Sequence, residues 1–368
     1  MDILAEITRI KYELFSSSEL TEISFDDLNI NSMPSYCVIK DKICNFSISK
    51  WVSPKRTRSY PYERVYNTLS NQKRITVIPI IKDEGIKGDR DYIQWDTISL
   101  MSLLDVYVIL AYYEDAEKHP TRENKITNQI FNNDYVVSKI TEIANYHSSP
   151  LHWNLQEIND TLPSLIDLVK QSYQKISKEL DVKFHKFSGI DKFKSQFQKG
   201  VEEFMNTSRG KAKEAQNREK QTIQPKEALS SLTKATITIS NYLGGLYYFT
   251  TDEIDCNEKD IFLIEAKHSE GSKLPSIGDI KDGLLKLILY CNLKNVVLDS
   301  HTFNPIPVLK LTSSNIEGNI TSDSEKSIIE DFYKNNKFNE RQITMLTLLF
   351  KECFINNFRV IIEKGSKE

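Results

Sequence analysis

Apolar positions along the chain fall into two periods, one near 3.6 residues and one of two, and the alternation between them predicts the elements. Asp2 to Ser16 reads as a short amphipathic helix, with a polar, Ser- and Asp-rich connection from Ser17 to Ser32 after it. Tyr36 to Ile48 alternates as a strand or hairpin, Arg74 to Lys82 reads as a buried strand, and Val106 to Tyr113 has strong β character. Asp96 is placed to cap a helix over Thr97 to Leu104. Helical spacing returns over Lys125 to Tyr146 and again from Leu162 to Met205, the latter amid many lysines. Lys226 to Ser240 reads as a helix ending at Gly244 and Gly245.

Beyond that point the pattern shortens. Tyr247 to Cys256 and Ile261 to Lys267 are rich in β-branched and aromatic residues, and the Asn257 to Asp260 cluster between them has turn chemistry, which predicts an antiparallel hairpin. Ile277 to Cys291 is then helical, with Ile280, Leu284, Leu287, Ile288 and Cys291 on one face and Lys281, Asp282 and Lys286 opposite. Asn295 to Asp299 and Pro305 to Leu311 read as strands, Thr312 to Asp323 as a polar loop, and Ser327 to Asn335 and Asn339 to Phe354 as helices. The terminal pair has spacing compatible with a helix-turn-helix reader or with packing on the core. The resulting class is α/β, a mixed central sheet with flanking helices, preceded by an α+β module over residues 1–205. The polar stretch 206–224 is the connector, and 225–368 is the second module.

Composition narrows the partners. A chain of 368 residues with 39% hydrophobic content can bury a sizeable core, and its net charge of −3 excludes a globally basic coating of nucleic acid. Five cysteines, odd in number and without a Cys-x-x-Cys pair, indicate neither a disulfide framework nor a zinc site. With no basic, apolar leader at the start and no apolar run long enough to span a bilayer, the reading is a cytoplasmic protein with no membrane partner.

The predicted hairpin concentrates charge. Side chains alternate along a strand, so Glu253 and Asp255 share a face of the first strand and Glu265 and Lys267 share a face of the second. Where those faces coincide, three carboxylates and an ammonium meet, an arrangement that is costly unless a cation is bound. Hard oxygen donors of this kind suit Mg²⁺, whose bound water is activated for phosphodiester hydrolysis. Asp252 competes with Asp255 for the site, because register cannot be read from sequence and a one-residue slip exchanges the faces.

Glu253-Ile254-Asp255, with a strand after it ending in Ile264-Glu265-Ala266-Lys267, resembles the PD-(D/E)XK nuclease superfamily, and within it type II restriction endonucleases. The likeness covers roughly Pro225 to Leu311; the superfamily's Pro is missing, with Thr251 or Ile254 in its place. It implies a restriction-endonuclease-like core and a sequence-specific, Mg²⁺-dependent endonuclease acting on double-stranded DNA, the alternatives being a noncatalytic DNA-binding or interaction protein that keeps the fold, or a structure- or modification-dependent nuclease; one such site per chain and two strands to cut point to a homodimer. It further implies metal ligation by Asp255, Glu265 and Ala266, a catalytic Lys267, and Glu253 as the extra upstream acid of some members.

Two other stretches bear on DNA. Lys55, Arg56, Arg58 and Arg64 are interleaved with Trp51, Tyr60, Tyr62 and Tyr66, a combination suited to phosphate contact and base readout, or alternatively to a solvated loop with its aromatics in the core. Arg209 and Lys211 lie in the polar connector, which reads either as a linker or as a segment ordered by phosphates. The acidic turn with Asp83, Glu84, Asp89 and Asp91 has no Glu-x-Lys after it and is read as solvated.

Overall fold

A computed structural model describes residues 2–14, 19–40, 45–54, 61–197, 202–206, 235–241 and 246–365. The chain divides into two units, Met1–Ser18 with Glu219–Glu368, and Glu19–Arg218. The division at 206–224 is therefore not a simple split into two consecutive halves, since the first eighteen residues fold with the second unit. The cause is β1 (Asp2–Ile7), a strand rather than the predicted helix. Ile3, Ala5 and Ile7 point inward and their neighbours outward, which is a period of two.

The Glu19–Arg218 unit holds a five-stranded sheet of β2 (Glu22–Ser24), β3 (Tyr36–Lys40), β4 (Asn45–Lys50), β5 (Arg74–Pro79) and β8 (Tyr107–Ala111), in that order. Two hairpins accompany it, β6 (Ile81–Asp83) with β7 (Arg90–Tyr92) and β9 (Tyr113–Lys118) with β10 (Ile126–Phe131). Its helices include α1 (Pro61–Thr68), α2 (Trp95–Leu103), α3 (Asn133–Ala144), α4 (Pro150–Gln156), α5 (Leu162–Leu180) and α6 (Ser188–Phe197). One core cluster gathers Phe46, Ile48, Val77, Ile109, Ile140 and Trp153. The helix predicted over Lys125 to Tyr146 is a strand and then a helix. Ile126 and Thr127 are taken by pairing with β9, and Asn132 caps α3 by accepting the Tyr135 N–H. Asp96 lies inside the first turn of α2, with Gln94 at the cap position.

The other unit is built on a nine-stranded mixed sheet. Its path runs β12 (Leu246–Thr251), β11 (Ala235–Asn241), β1, β15 (Lys294–Leu298), β16 (His301–Ser313), β14 (Asp260–Ser269) and β13 (Glu253–Cys256). β18 (Arg359–Lys364) also pairs with β16, and β17 (Asn319–Thr321) pairs with β18. The helix predicted over Lys226 to Ser240 is overturned where it is described. Thr236, Ile237, Thr238 and Ile239 are β-branched, and β11 pairs in parallel with β1 and antiparallel with β12. Gly244 and Gly245 lie outside the described residues.

Helix α7 (Ile277–Tyr290) packs on β14 and β16. Ser276 caps it, accepting the Asp279 N–H at 3.2 Å. Its predicted polar face is buried, with Lys281, Asp282 and Lys286 all enclosed. The terminal helices α8 (Lys326–Asn335) and α9 (Glu340–Asn356) pack against β17 and β18 respectively, and α9 begins with a capping box between Asn339 and Gln342. That packing places the pair on the core sheet.

Candidate active site

The register of the β13–β14 hairpin decides which acids meet. Glu253 lies opposite Ile264, Ile254 opposite Leu263 and Asp255 opposite Phe262. Asp252 stands just before the ladder begins, and its N–H donates to the Ile264 carbonyl at 3.2 Å. Residues directly opposite share a face, so Glu253 and Asp255 stand on the side of Ile264 and Phe262, away from Glu265 and Lys267, whose charges instead act on Asp252. The structure thus brings together Asp252, Glu265 and Lys267, and corrects the placement of Asp255 and Glu253. Asp255 is exposed and its carboxylate accepts its neighbour's Cys256 N–H at 2.9 Å. Glu253 pairs with Lys310 at 3.3 Å, and Lys310 also reaches Glu363 at 3.1 Å. These ions form a network on the far face. His268, also on that face, bonds Thr312 Oγ1 at 2.9 Å.

Glu265 has no exposed surface, and each of its oxygens is held by a different ammonium. Lys267 Nζ donates to Oε1 at 2.9 Å and Lys286 Nζ to Oε2 at 2.7 Å. Lys286 comes from α7, one helical turn before Tyr290 and on the same face. Both residues tie the helix to the end of β12, where the Thr250 carbonyl accepts from Tyr290 Oη at 3.1 Å and from Lys286 Nζ at 3.4 Å. α7 lies this close because position 283 is glycine. A Cβ there would stand 2.9 Å from Leu309 Cδ1, 3.2 Å from Lys267 Cε and 3.5 Å from Glu265 Cγ.

The Asp252 carboxylate accepts the Ala266 N–H at 3.0 Å. Burial pushes its carboxyl above the usual range and the charge of Glu265 adds to the push, while Lys286, the Ala266 N–H and Lys267 pull the other way. In an extended strand the N–H and C=O of one residue point to the same edge. The Ala266 carbonyl therefore faces the edge from which its N–H reaches Asp252. Two carboxylates and a main-chain carbonyl are hard oxygen donors, few enough to leave room for water, which is the set Mg²⁺ takes. No group of three or more His, Cys, Asp or Glu side chains able to hold a metal occurs among the described residues. A metal here would rest on that smaller set.

Sequence reasoning missed Lys286, which it placed only on the polar side of the helix, opposite the apolar face. The signal was present: Leu284, Leu285, Leu287, Ile288 and Leu289 leave α7 apolar nearly all round, and such a helix is buried, lysines included.

The expected DNA contacts fare differently. Trp51, Tyr62 and Tyr66 are buried, as the core reading of that stretch has it. Arg64 is half-buried, donating from Nη1 to the Lys50 carbonyl at 2.8 Å, and burial lowers its pKa. Lys55, Arg56, Arg58, Arg209 and Lys211 lie outside the described residues. The acidic turn is solvated only in part: Asp89 is exposed and Glu84 half-buried, but Asp83 is fully buried against Arg90, His185 and the Gly85 N–H, and Asp91 is buried against Ser53. A cavity of about 590 Å³ in the same unit is lined by Lys50, Lys82, Glu84 and Lys125, among others. Its lysines are engaged within the protein, Lys82 and Lys125 with Glu84 and Lys50 with three main-chain carbonyls. The described residues include no helix long and apolar enough to cross a membrane. Comparison with protein-family models, curated proteins and solved structures finds no match for the chain.

Proposed function

We propose that the protein is a Mg²⁺-dependent endonuclease that hydrolyses phosphodiester bonds of double-stranded DNA, in the manner of a type II restriction enzyme, and that its working acid is Asp252 rather than Asp255. The observation that carries this reading is the convergence of Asp252, Glu265 and Lys267 on one face of adjacent strands under α7. Asp252, Glu265 and the Ala266 carbonyl would hold the ion. Bound there, Mg²⁺ supplies Lewis acidity toward a phosphate oxygen and lowers the pKa of water.

The protein's own groups do the rest. Asp252 is fixed by the Ala266 N–H and Glu265 by the Lys267 ammonium, so neither carboxylate reorganises when substrate arrives. Lys267, with little exposure, presents a positive charge beside the place where a phosphate would gain negative charge. The far-face acids Glu253 and Asp255 take no part.

The test is digestion of unmodified plasmid DNA with Mg²⁺ and sequencing of the ends. Discrete fragments with one recurring end sequence support the reading. Intact DNA with the wild-type protein, or cleavage retained by Glu265→Ala, would remove it, and cleavage confined to modified or branched DNA would change its substrate.

A further inference from the structure

Glu265 is the most constrained carboxylate of the site, fully buried and contacted on both oxygens by lysine. Lys267 holds Oε1 and Lys286 holds Oε2, so both oxygens of this buried carboxylate are already compensated by cations of the protein itself. A divalent cation on Glu265 with both ammonium groups in place would be a third cation against one buried carboxylate, which is costly where the dielectric is low. Something cationic has to withdraw from Glu265 for the ion to be held.

The two lysines are not equally able to withdraw. Lys267 shares its strand with Glu265, and its stem lies under the backbone of α7 at Gly283, where even a Cβ would come within 3.2 Å of Cε. Lys286 reaches in from the helix and has a second acceptor, the Thr250 carbonyl at 3.4 Å, toward which its ammonium can shift. We propose that Lys286 is a resident cation that stands in for the divalent metal on Glu265 Oε2 and is displaced toward Thr250 when the metal binds. Its role is positional: it keeps a buried carboxylate compensated in the metal-free protein and sets the metal affinity by competition. This rests on the metal-dependent reading of the site.

The experiment measures metal binding without DNA or turnover. Mn²⁺ serves as the probe, read by electron paramagnetic resonance and by the shift it causes in melting temperature, in wild type, Lys286→Met, Lys286→Gln, Lys286→Arg and Glu265→Gln. Removing the competing charge should tighten Mn²⁺ binding at least roughly tenfold in Lys286→Met and Lys286→Gln, and the metal-free variants should melt lower than wild type and gain more on Mn²⁺ addition, because a ligand that binds only the folded state stabilises it more the tighter it binds. Lys286→Arg keeps the charge and should bind no tighter than wild type.

A folded Lys286→Met or Lys286→Gln protein with unchanged or weaker Mn²⁺ affinity overturns the proposal while leaving the metal site standing. Wild-type binding that is absent, or indifferent to Glu265→Gln, removes the metal reading and this proposal together. Reductive methylation of the wild-type protein gives a second readout that needs no variant to fold. Mg²⁺ should raise labelling at Lys286, and equal labelling with and without the ion overturns the displacement.

Discussion

Asp252 and Asp255 are three residues apart, chemically identical, and separated by a whole sheet. Each stands on the face its register gives it, and only the face of Glu265 is covered by α7. Asp252→Asn should therefore lower cleavage by several orders of magnitude, while Asp255→Asn, which alters an exposed carboxylate, should cleave as wild type does; a side-by-side plasmid assay reads both. The raised pKa of Asp252 adds a stability signature. With its folded value above the unfolded one, the native state binds more protons between the two, so its contribution to stability falls as pH rises through that interval. Metal-free Asp252→Asn should accordingly melt higher than wild type at neutral pH, and the difference should close below the ordinary Asp range. Equal melting at both ends of a pH series would count against burial as the cause. The choice between the two aspartates is open in the sequence because alternation fixes which residues share a face, not which face meets the helix. Glu265 and Lys267 need no such choice, being two apart on one strand.

Helix α7 is legible as an element and illegible as a surface. Its 3.6-residue period fixes its span, yet the lysine-bearing side reads as the wet one, because a single sequence does not say that a helix is enclosed all round. Strands β1 and β11 escape the sequence for a different reason. Both are short, their alternation is compatible with a helical turn over so few residues, and they acquire strand character by pairing with each other across more than two hundred residues of chain. The closeness of α7 to β14 and β16 depends on Gly283, which gives that packing a direct test. Gly283→Val puts branched carbon against Leu309 and the Lys267 stem. Overpacking of this kind costs about 1–3 kcal/mol, which urea denaturation should register. Because Lys267 has to move, cleavage should fall further than stability alone accounts for. A variant as stable and as active as wild type would show that α7 can ride higher without disturbing the site.

At the scale of the molecule, the proposed function asks one site to serve a duplex whose two scissile phosphates run in opposite directions. The described residues bring together one set of Asp252, Glu265 and Lys267, which on that proposal attacks one phosphodiester at a time. Two copies related by a two-fold axis would present two such sets in matching orientation, and closed two-fold assemblies are the commonest oligomers. Helical spacing alone points to Ile343, Leu346, Leu349 and Phe350 of α9 as the face between copies. Leu346 and Leu349 are instead buried within the chain's own core, and the outward apolar residues of this helix include Leu348, Phe354 and Ile355. The prediction of a working dimer thus stands on the geometry of the substrate rather than on that helix face. Wild-type protein mixed with an excess of Glu265→Ala, and left to exchange, should pair one competent site with one dead site. Supercoiled plasmid should then accumulate as nicked circles, since the dead site leaves its strand intact. Linear product undiminished by the mixing, formed by a species whose mass on DNA is that of one chain, would mean that a single copy turns over and cuts both strands in succession.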